Sequence, residues 1–231
     1  CFFFFFCRDC NSSRQITLDD FVIASTKRVI DLGVQFDEKL NCSTHVANIV
    51  AKAHRRACLI QRCFLSRDKQ TLVTAFKVYV RPILEYCSVA WNPYLKKDIE
   101  LIEKVQRRFT KRLPGMKNLT YEQRLIELAL ESLEMLRLKA DLVCVYKIIF
   151  GLLDVDSSDF FSLRCNVNRR GHRYVLYLPT CKSSTRFRFF TYRIINAWNA
   201  LPPNTDFSSL RKFKASLEPR LLTRFCKVNF L

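Results

Sequence analysis

Lys104, Arg107, Arg108, Lys111 and Arg112 crowd into one short stretch, and together they carry the chemistry of phosphate recognition. Each presents a cation with several N–H donors, and each phosphate it neutralises releases condensed counterions. A cation near a helix C-terminus also offsets the helix dipole, by about 0.3–1 kcal/mol, but five are more than that role requires, which leaves phosphate binding and a solvated basic face as the two readings. A second set, Arg169, Arg170, Arg173, Arg186, Arg188 and Arg193, lies further along, where Phe187, Phe189, Phe190 and Tyr192 interleave with the last three. Arginine beside aromatic rings can grip phosphates and stack bases. The same rings can instead form the core of a small subdomain, so the reading adopted is core for the aromatics and binding for the arginines.

These groups sit in a chain of formal net charge +18, with 39 Lys and Arg against 21 Asp and Glu. The excess is uneven: residues 1–42 are net −1, 43–115 net +10, 116–160 net −3 and 161–231 net +12. Two basic blocks thus flank an acidic spacer. Such blocks attract nucleic acid, and also an anionic membrane surface or an acidic protein. The favoured partners are RNA and DNA, bound with low sequence specificity, and no small-molecule substrate is implied.

Metal and redox chemistry find less support. Eleven cysteines are an odd number spread along the chain, and without a secretory signal they predict reduced thiols in a protein that is not secreted. Cys7 and Cys10 have ligand spacing but no second pair at zinc-ribbon distance; His45, His54, Cys58 and Cys63 would spread over several helical turns. No cofactor is expected.

Long helices must position the cations, since 4 Gly against 20 Phe suits few loops. Phe21–Ala24 and Arg28–Phe36, separated by Ser25, Thr26 and Lys27, predict a small β hairpin. With Ser43 as N-cap, Val46, Ile49, Val50, Ala53, Ala57, Ile60 and Phe64 recur at helical spacing, opposite Lys52, Arg55, Arg56 and Arg62. A helix from Asp68 to Val80 meets Pro82, which forces a kink or stop, and Pro93 closes the next segment. Lys97–Leu113 buries Ile99, Ile102, Val105 or Gln106, Phe109 and Leu113. Thr120 with Gln123 forms a capping box for a helix over Tyr121–Leu130, and Ser132 caps one reaching Phe150, stopped by Gly151. Residues 154–159 read as a linker, Tyr174–Leu178 as a strand, and Ser208–Leu222 as a helix burying Leu210, Phe213 and Leu217.

The fold expected is mainly α, a helical bundle with a small N-terminal β hairpin and a small basic C-terminal subdomain. Its parts are 1–15 (low complexity), 16–40 (hairpin), 41–153 (helical) and 154–231 (basic and aromatic). The five phenylalanines Phe2–Phe6 after a leading Cys1 read as a truncated start in which an intron's pyrimidine tract is translated to Phe and Cys, with a frayed strand as the alternative. No stretch reaches the roughly 18 uninterrupted apolar residues of a membrane span.

In order along the chain stand Val29-Ile30-Asp31-Leu32-Gly33-Val34-Gln35-Phe36-Asp37, Tyr79-Val80-Arg81-Pro82-Ile83-Leu84-Glu85-Tyr86, Trp91-Asn92-Pro93 and Ile102-Glu103-Lys104-Val105-Gln106-Arg107-Arg108-Phe109-Thr110. Arg124-Leu125, Ser132-Leu133-Glu134, Asp141-Leu142, Tyr146-Lys147, Arg170-Gly171-His172 and Trp198-Asn199-Ala200-Leu201-Pro202 follow. This series resembles the region after the catalytic hairpin in jockey-like and related LINE (non-LTR retrotransposon) reverse transcriptases. The resemblance implies the end of a palm over 16–40, a thumb-like bundle over 41–153, and a template-primer held by the basic residues. It also implies a nuclear or cytoplasmic ribonucleoprotein setting, with Mg²⁺ needed only by the full-length RNA-directed DNA polymerase. That enzyme's metal-holding aspartates, one early in the palm and two in an aromatic-Ala-Asp-Asp hairpin, have no counterpart before Asp31. Leu18-Asp19-Asp20-Phe21 lacks the aromatic lead. The family's endonuclease domain is missing, and the Cys/His knuckle of some lineages has no counterpart around Cys165, His172 and Cys181. The isolated chain is therefore expected not to polymerise. A host-adopted helical protein-interaction module is the alternative.

Overall fold

A computed structural model of the chain describes residues 17–18, 21–22, 28–37, 40–164, 171–181 and 183–228. It is mainly helical, with antiparallel β ribbon near the N-terminus. Thr17–Leu18 (β1) pairs with Phe21–Val22 (β2), and Arg28–Asp31 (β3) with Val34–Asp37 (β4). The expected partnership of 21–24 with 28–36 is thereby corrected, because the chain reverses inside the second segment. Leu32 and Gly33 both adopt positive φ, 45° and 84°, the two-residue turn whose twist matches that of the strands it joins. Val34 and Phe36 point into the core, while β3 is exposed along its length.

Ser43–Cys63 (α1), Lys69–Tyr79 (α2), Arg81–Glu85 (α3), Ser88–Trp91 (α4), Lys96–Lys111 (α5) and Tyr121–Glu127 (α6) enclose a first apolar cluster. The N-cap of α1 is Cys42, not Ser43; the Ser43 hydroxyl instead donates to Asp98 at the start of α5. The stripes predicted for α1 and α5 are buried, except that Ile49 and Phe64 are half-covered. Pro82 starts α3 after a break at Val80. Helices α1 and α5 run side by side in the same direction. Ser43 meets Asp98, Gln61 Nε2 donates to the Phe109 carbonyl (3.4 Å), and Arg112 Nη1 donates to Gln61 Oε1 (3.1 Å). The sequence separations of 55, 48 and 51 residues stay nearly constant along the pair, as only parallel helices allow.

Leu133–Ile149 (α7) joins this cluster to a second one. Leu133 packs in the first; Met135, Leu142, Val145, Tyr146 and Ile148 pack in the second. The second cluster also takes residues from Ser157–Phe160 (α8), Phe190–Arg193 (α10), Ile195–Asn199 (α11), Leu210–Ser216 (α12) and Pro219–Leu222 (α13) and from loops between them, while the short Ser184–Arg188 (α9) lies outside it. Several expectations shift here. The 154–159 linker runs into α8, the strand at 174–178 reduces to one bridge between Leu163 and Leu176, and Pro219 divides the final helix. Two patches of side-chain pairing hold this unit. His172 Nε2 donates to the Trp198 carbonyl (2.9 Å) while Trp198 Nε1 donates to the Tyr174 carbonyl (2.7 Å). Asn199 exchanges two 2.8 Å bonds with the Leu176 backbone.

Helices α6 and α7 end alike. Leu130 N–H bonds the Leu125 carbonyl and Ala129 N–H that of Ile126; Leu152 and Gly151 repeat the pattern on Lys147 and Ile148. Both are the two-bond C-terminal cap that places one residue in the left-handed region. Gly151 (φ 65°) adopts it without a Cβ clash; Ala129 (φ 47°) does not. Helix α6 therefore stops at Glu127, short of the expected Leu130, because Ala129, a residue type that rarely ends a helix, takes the left-handed position.

Buried charge ties α7 to its neighbours. Glu134, Arg137 and Asp141, at helical spacing, are all buried. Asp141 receives Arg193 through two 3.1 Å bonds and Asn92 Nδ2 at 3.1 Å. Asn92 Oδ1 accepts from Arg137 Nε (3.2 Å), and Glu134 accepts the backbone N–H groups of Lys227 (2.7 Å) and Val228 (3.2 Å). From α5, the buried Glu103 accepts the Leu133 N–H (3.0 Å) at the start of α7 and the Tyr121 hydroxyl. Removing one partner from such a pair strands the other. Asp141→Ala is expected to cost roughly 3–5 kcal/mol in urea unfolding, whereas Lys212→Ala, at the exposed pair with Asp206, leaves the midpoint nearly unchanged. Ala129→Gly should stabilise by roughly 1 kcal/mol, and Gly151→Ala should destabilise by at least as much.

Candidate nucleic-acid interface

Helix α5 winds its apolar stripe inward and leaves Lys104, Arg107, Arg108, Lys111 and Arg112 exposed. At 3.6 residues per turn they span an arc of about 140°. Lys104, Arg108 and Arg112, spaced one turn apart, form the edge nearest α1. There they act on His54 of α1, whose pKa is held below the ordinary imidazole value first by burial and then by Arg108, Lys104 and Arg112. Arg112 is further fixed by Gln61 Oε1. Opposing charge along this row is sparse among the described residues: α1 contains no acidic residue and α5 none after Glu103, although the exposed Glu100 stands one turn ahead of Lys104. Lys52, Arg55, Arg56 and Arg62 of α1 are also exposed. On the other side of the arc the Arg107 guanidinium lies over the Tyr121 ring (5.0 Å), which Arg124 also approaches (5.6 Å).

The second predicted set divides. Arg173 stacks on Tyr174 (4.9 Å) and is exposed. Arg186 and Arg188 are exposed, and Arg188 lies over Tyr94 (3.8 Å), just ahead of α5. Arg193 turns inward instead, to Asp141 and the Val89 carbonyl (2.7 Å), so it does not join the others at the surface. Arg169 and Arg170 lie outside the described residues, as do Cys7, Cys10, Asp19 and Asp20. The aromatics assigned to the core divide as well: Phe190 is buried, but Phe187 is 58% and Phe189 37% exposed, with the Phe187 and Tyr192 rings 4.9 Å apart. The physical reason is helical winding. Two short helices, α9 and α10, replace the strand-like alternation of the sequence, so neighbours in the chain no longer share a face.

The remaining candidates for chemistry are structural in their contacts. His45 Nδ1 accepts the Gln35 N–H (3.3 Å) and its ring meets Trp91 edge-on; burial lowers its pKa. Burial likewise lowers the pKa of His172, against the opposing pull of the Trp198 carbonyl. Burial pushes the thiols of Cys42 and Cys144 up to about 11, and that of Cys226 to about 12, where they stay protonated and weakly nucleophilic. Among the described residues no three His, Cys, Asp or Glu side chains converge on one point, and no helix is long and apolar enough to cross a membrane. Sequence reading missed Tyr94, Gln61 and His54 as parts of this surface. Tyr94 stands just before Lys96 and Lys97, but only the fold brings Arg188 to it.

Comparison with known proteins places the chain beside a relative without a described role. No family model and no solved structure matches it. It is 27% identical over 127 residues to an uncharacterized protein of Caenorhabditis elegans, an alignment covering 54% of this chain and 64% of that relative. The chain thus spans less than two thirds of the curated relative's length.

The cationic edge of α5 has a direct reporter. In an NMR titration the His54 imidazole is expected to titrate below 6.5, and to move upward when Lys104, Arg108 and Arg112 are replaced by alanine, with burial keeping it short of the ordinary value. An ordinary pKa in the unaltered protein would mean that the edge does not act on α1.

Proposed function

We propose that this chain is the thumb-side part of a LINE-type reverse transcriptase and that its own role is to grip an RNA or DNA backbone with little sequence preference. The observation that carries the reading is the row Lys104, Arg108 and Arg112 beside an acid-free α1, with Arg107 and Lys111 widening it. A polyanion laid along that row replaces repulsion among like charges with charge-assisted hydrogen bonds. Arg188 on Tyr94, with exposed Phe187 nearby in sequence, offers aromatic faces on which bases can stack. The small basic C-terminal unit then extends the grip beyond the helical thumb. Metal-dependent phosphoryl transfer, with its Mg²⁺, belongs on this reading to catalytic carboxylates of the full-length enzyme, and the setting is a nuclear or cytoplasmic ribonucleoprotein.

A second reading, a host-adopted helical module that binds protein, draws on β3 and the turn after it, where Val29, Ile30 and Leu32 are 54%, 71% and 61% exposed. Exposed aliphatic residues on one hairpin suit contact with another chain.

The test is a titration of the chain with an unstructured RNA over a range of salt. Replacing Lys104, Arg107, Arg108 and Lys111 with alanine should flatten the log–log salt slope by about 0.7 per lost single-strand contact. Binding should also tighten as pH falls, because phosphates over the row stabilise the His54 imidazolium. An unchanged slope in the variant, or no binding at low salt, would overturn the reading and leave the protein-binding module.

A further inference from the structure

The row does not simply end at the last turn of α5. Arg112 is also a wall of a cleft of about 400 Å³, lined by Gln61, Arg67, Leu72, Arg112, Leu113 and Pro114. One residue orients both guanidiniums: the Gln61 carbonyl accepts from Arg67 Nη1 (3.1 Å) and the Gln61 side-chain oxygen from Arg112 Nη1 (3.1 Å). Each bond uses one of five N–H donors, so both forks keep donors for a ligand. Leu72 and Leu113 are 2% and 3% exposed and, with Pro114, form an apolar floor. Among the described residues no acid lines the cleft. The adjacent Asp68 is engaged with its own helix, accepting from the Thr71 N–H (2.8 Å) and hydroxyl (2.9 Å). Lys69 adds a third cation close by, with its Nζ 3.7 Å from where a Cβ on Gly115 would stand, although Glu127 shares it at 3.7 Å.

Two oriented guanidiniums over an apolar floor call for a ligand with concentrated negative charge next to an uncharged face. A phosphodiester inside a strand is a poor match, since it carries one charge and continues on both sides. A phosphate monoester carries between about −1.5 and −2 at neutral pH and offers three acceptor oxygens, which suits two Arg forks. Its attached sugar and base supply the face for Leu72, Leu113 and Pro114. We propose that this cleft binds the terminal phosphate of a nucleic-acid strand whose backbone lies along Lys104, Arg108 and Arg112. The cleft would therefore distinguish the end of a strand from its middle. This rests on the reading of the row as a nucleic-acid surface.

The experiment compares three versions of one short unstructured RNA, labelled internally, on the full chain: 5′-phosphorylated, 3′-phosphorylated, and hydroxyl at both ends. One phosphorylated version should bind about tenfold tighter than the hydroxyl version, and which one does identifies the strand polarity. Arg67→Gln, at an exposed side chain, should abolish that preference while hydroxyl-ended RNA keeps its affinity and salt slope. Equal affinity for all three versions on the unaltered chain overturns the cleft assignment alone. Failure of all three to bind overturns the row and the cleft together. A preference that survives Arg67→Gln also overturns the assignment, since the discriminating group would then lie elsewhere.

Discussion

Everything in this molecule turns on how α7 carries charge through its interior. A helix wedged between two apolar clusters would ordinarily be apolar all round, yet Glu134, Arg137 and Asp141 sit on it at helical spacing and are buried. Buried ions contribute little net stability, because desolvation offsets their attraction. What they enforce is position. Asp141 must find both Arg193 and Asn92, and Glu134 must find the backbone near the C-terminal end of the described chain. Glu103 reaches from α5 to the first N–H of α7, so the helix bearing the exposed cations is fixed to the same element. Burial pushes the carboxyls of Glu103 and Asp141 up and the Arg137 guanidinium down, and their mutual attraction opposes each of these shifts.

The parts of the fold that read plainly from the sequence are those where period and cap agree. Helix α5 shows its stripe in Ile99, Ile102, Val105 and Phe109, and the Thr120–Gln123 capping box and the Ser132 cap both form. Long-range polar partners were illegible, because nothing local distinguishes the buried Arg137 from the exposed Arg108. The same blindness applies to Arg193, whose surroundings in sequence match those of the exposed Arg186 and Arg188. Ala129 hid the end of α6 because the left-handed position was occupied by a residue that seldom takes it. At the candidate surface the cations on α5 were legible from their number; Gln61, Arg67 and Tyr94 were not, since tertiary contacts alone bring them there.

Two tryptophan–asparagine pairs, Trp91-Asn92 and Trp198-Asn199, do the same work in the two clusters. Trp91 packs in the first cluster and donates to the Tyr86 carbonyl (2.7 Å), while Asn92 bridges Arg137 and Asp141. Trp198 packs in the second and Asn199 clasps Leu176. In each pair the ring fills a core and the amide satisfies groups that burial would otherwise leave unpaired. These motifs therefore specify architecture. Any chemistry or binding must be sought on the exposed arcs between them, as on α5.

The parallel pairing of α1 with α5 also bears on how the chain is made. The face that α1 turns to α5 finds its partner only about fifty residues later. During synthesis from the N-terminus, Val46, Val50, Ala53 and Ala57 would wait uncovered for several seconds at about 5–20 residues per second. A nascent chain in that state exposes an adhesive basic and apolar helix before it can fold, which makes the interval before α5 emerges the time when a chaperone, or a bound polyanion, would matter most.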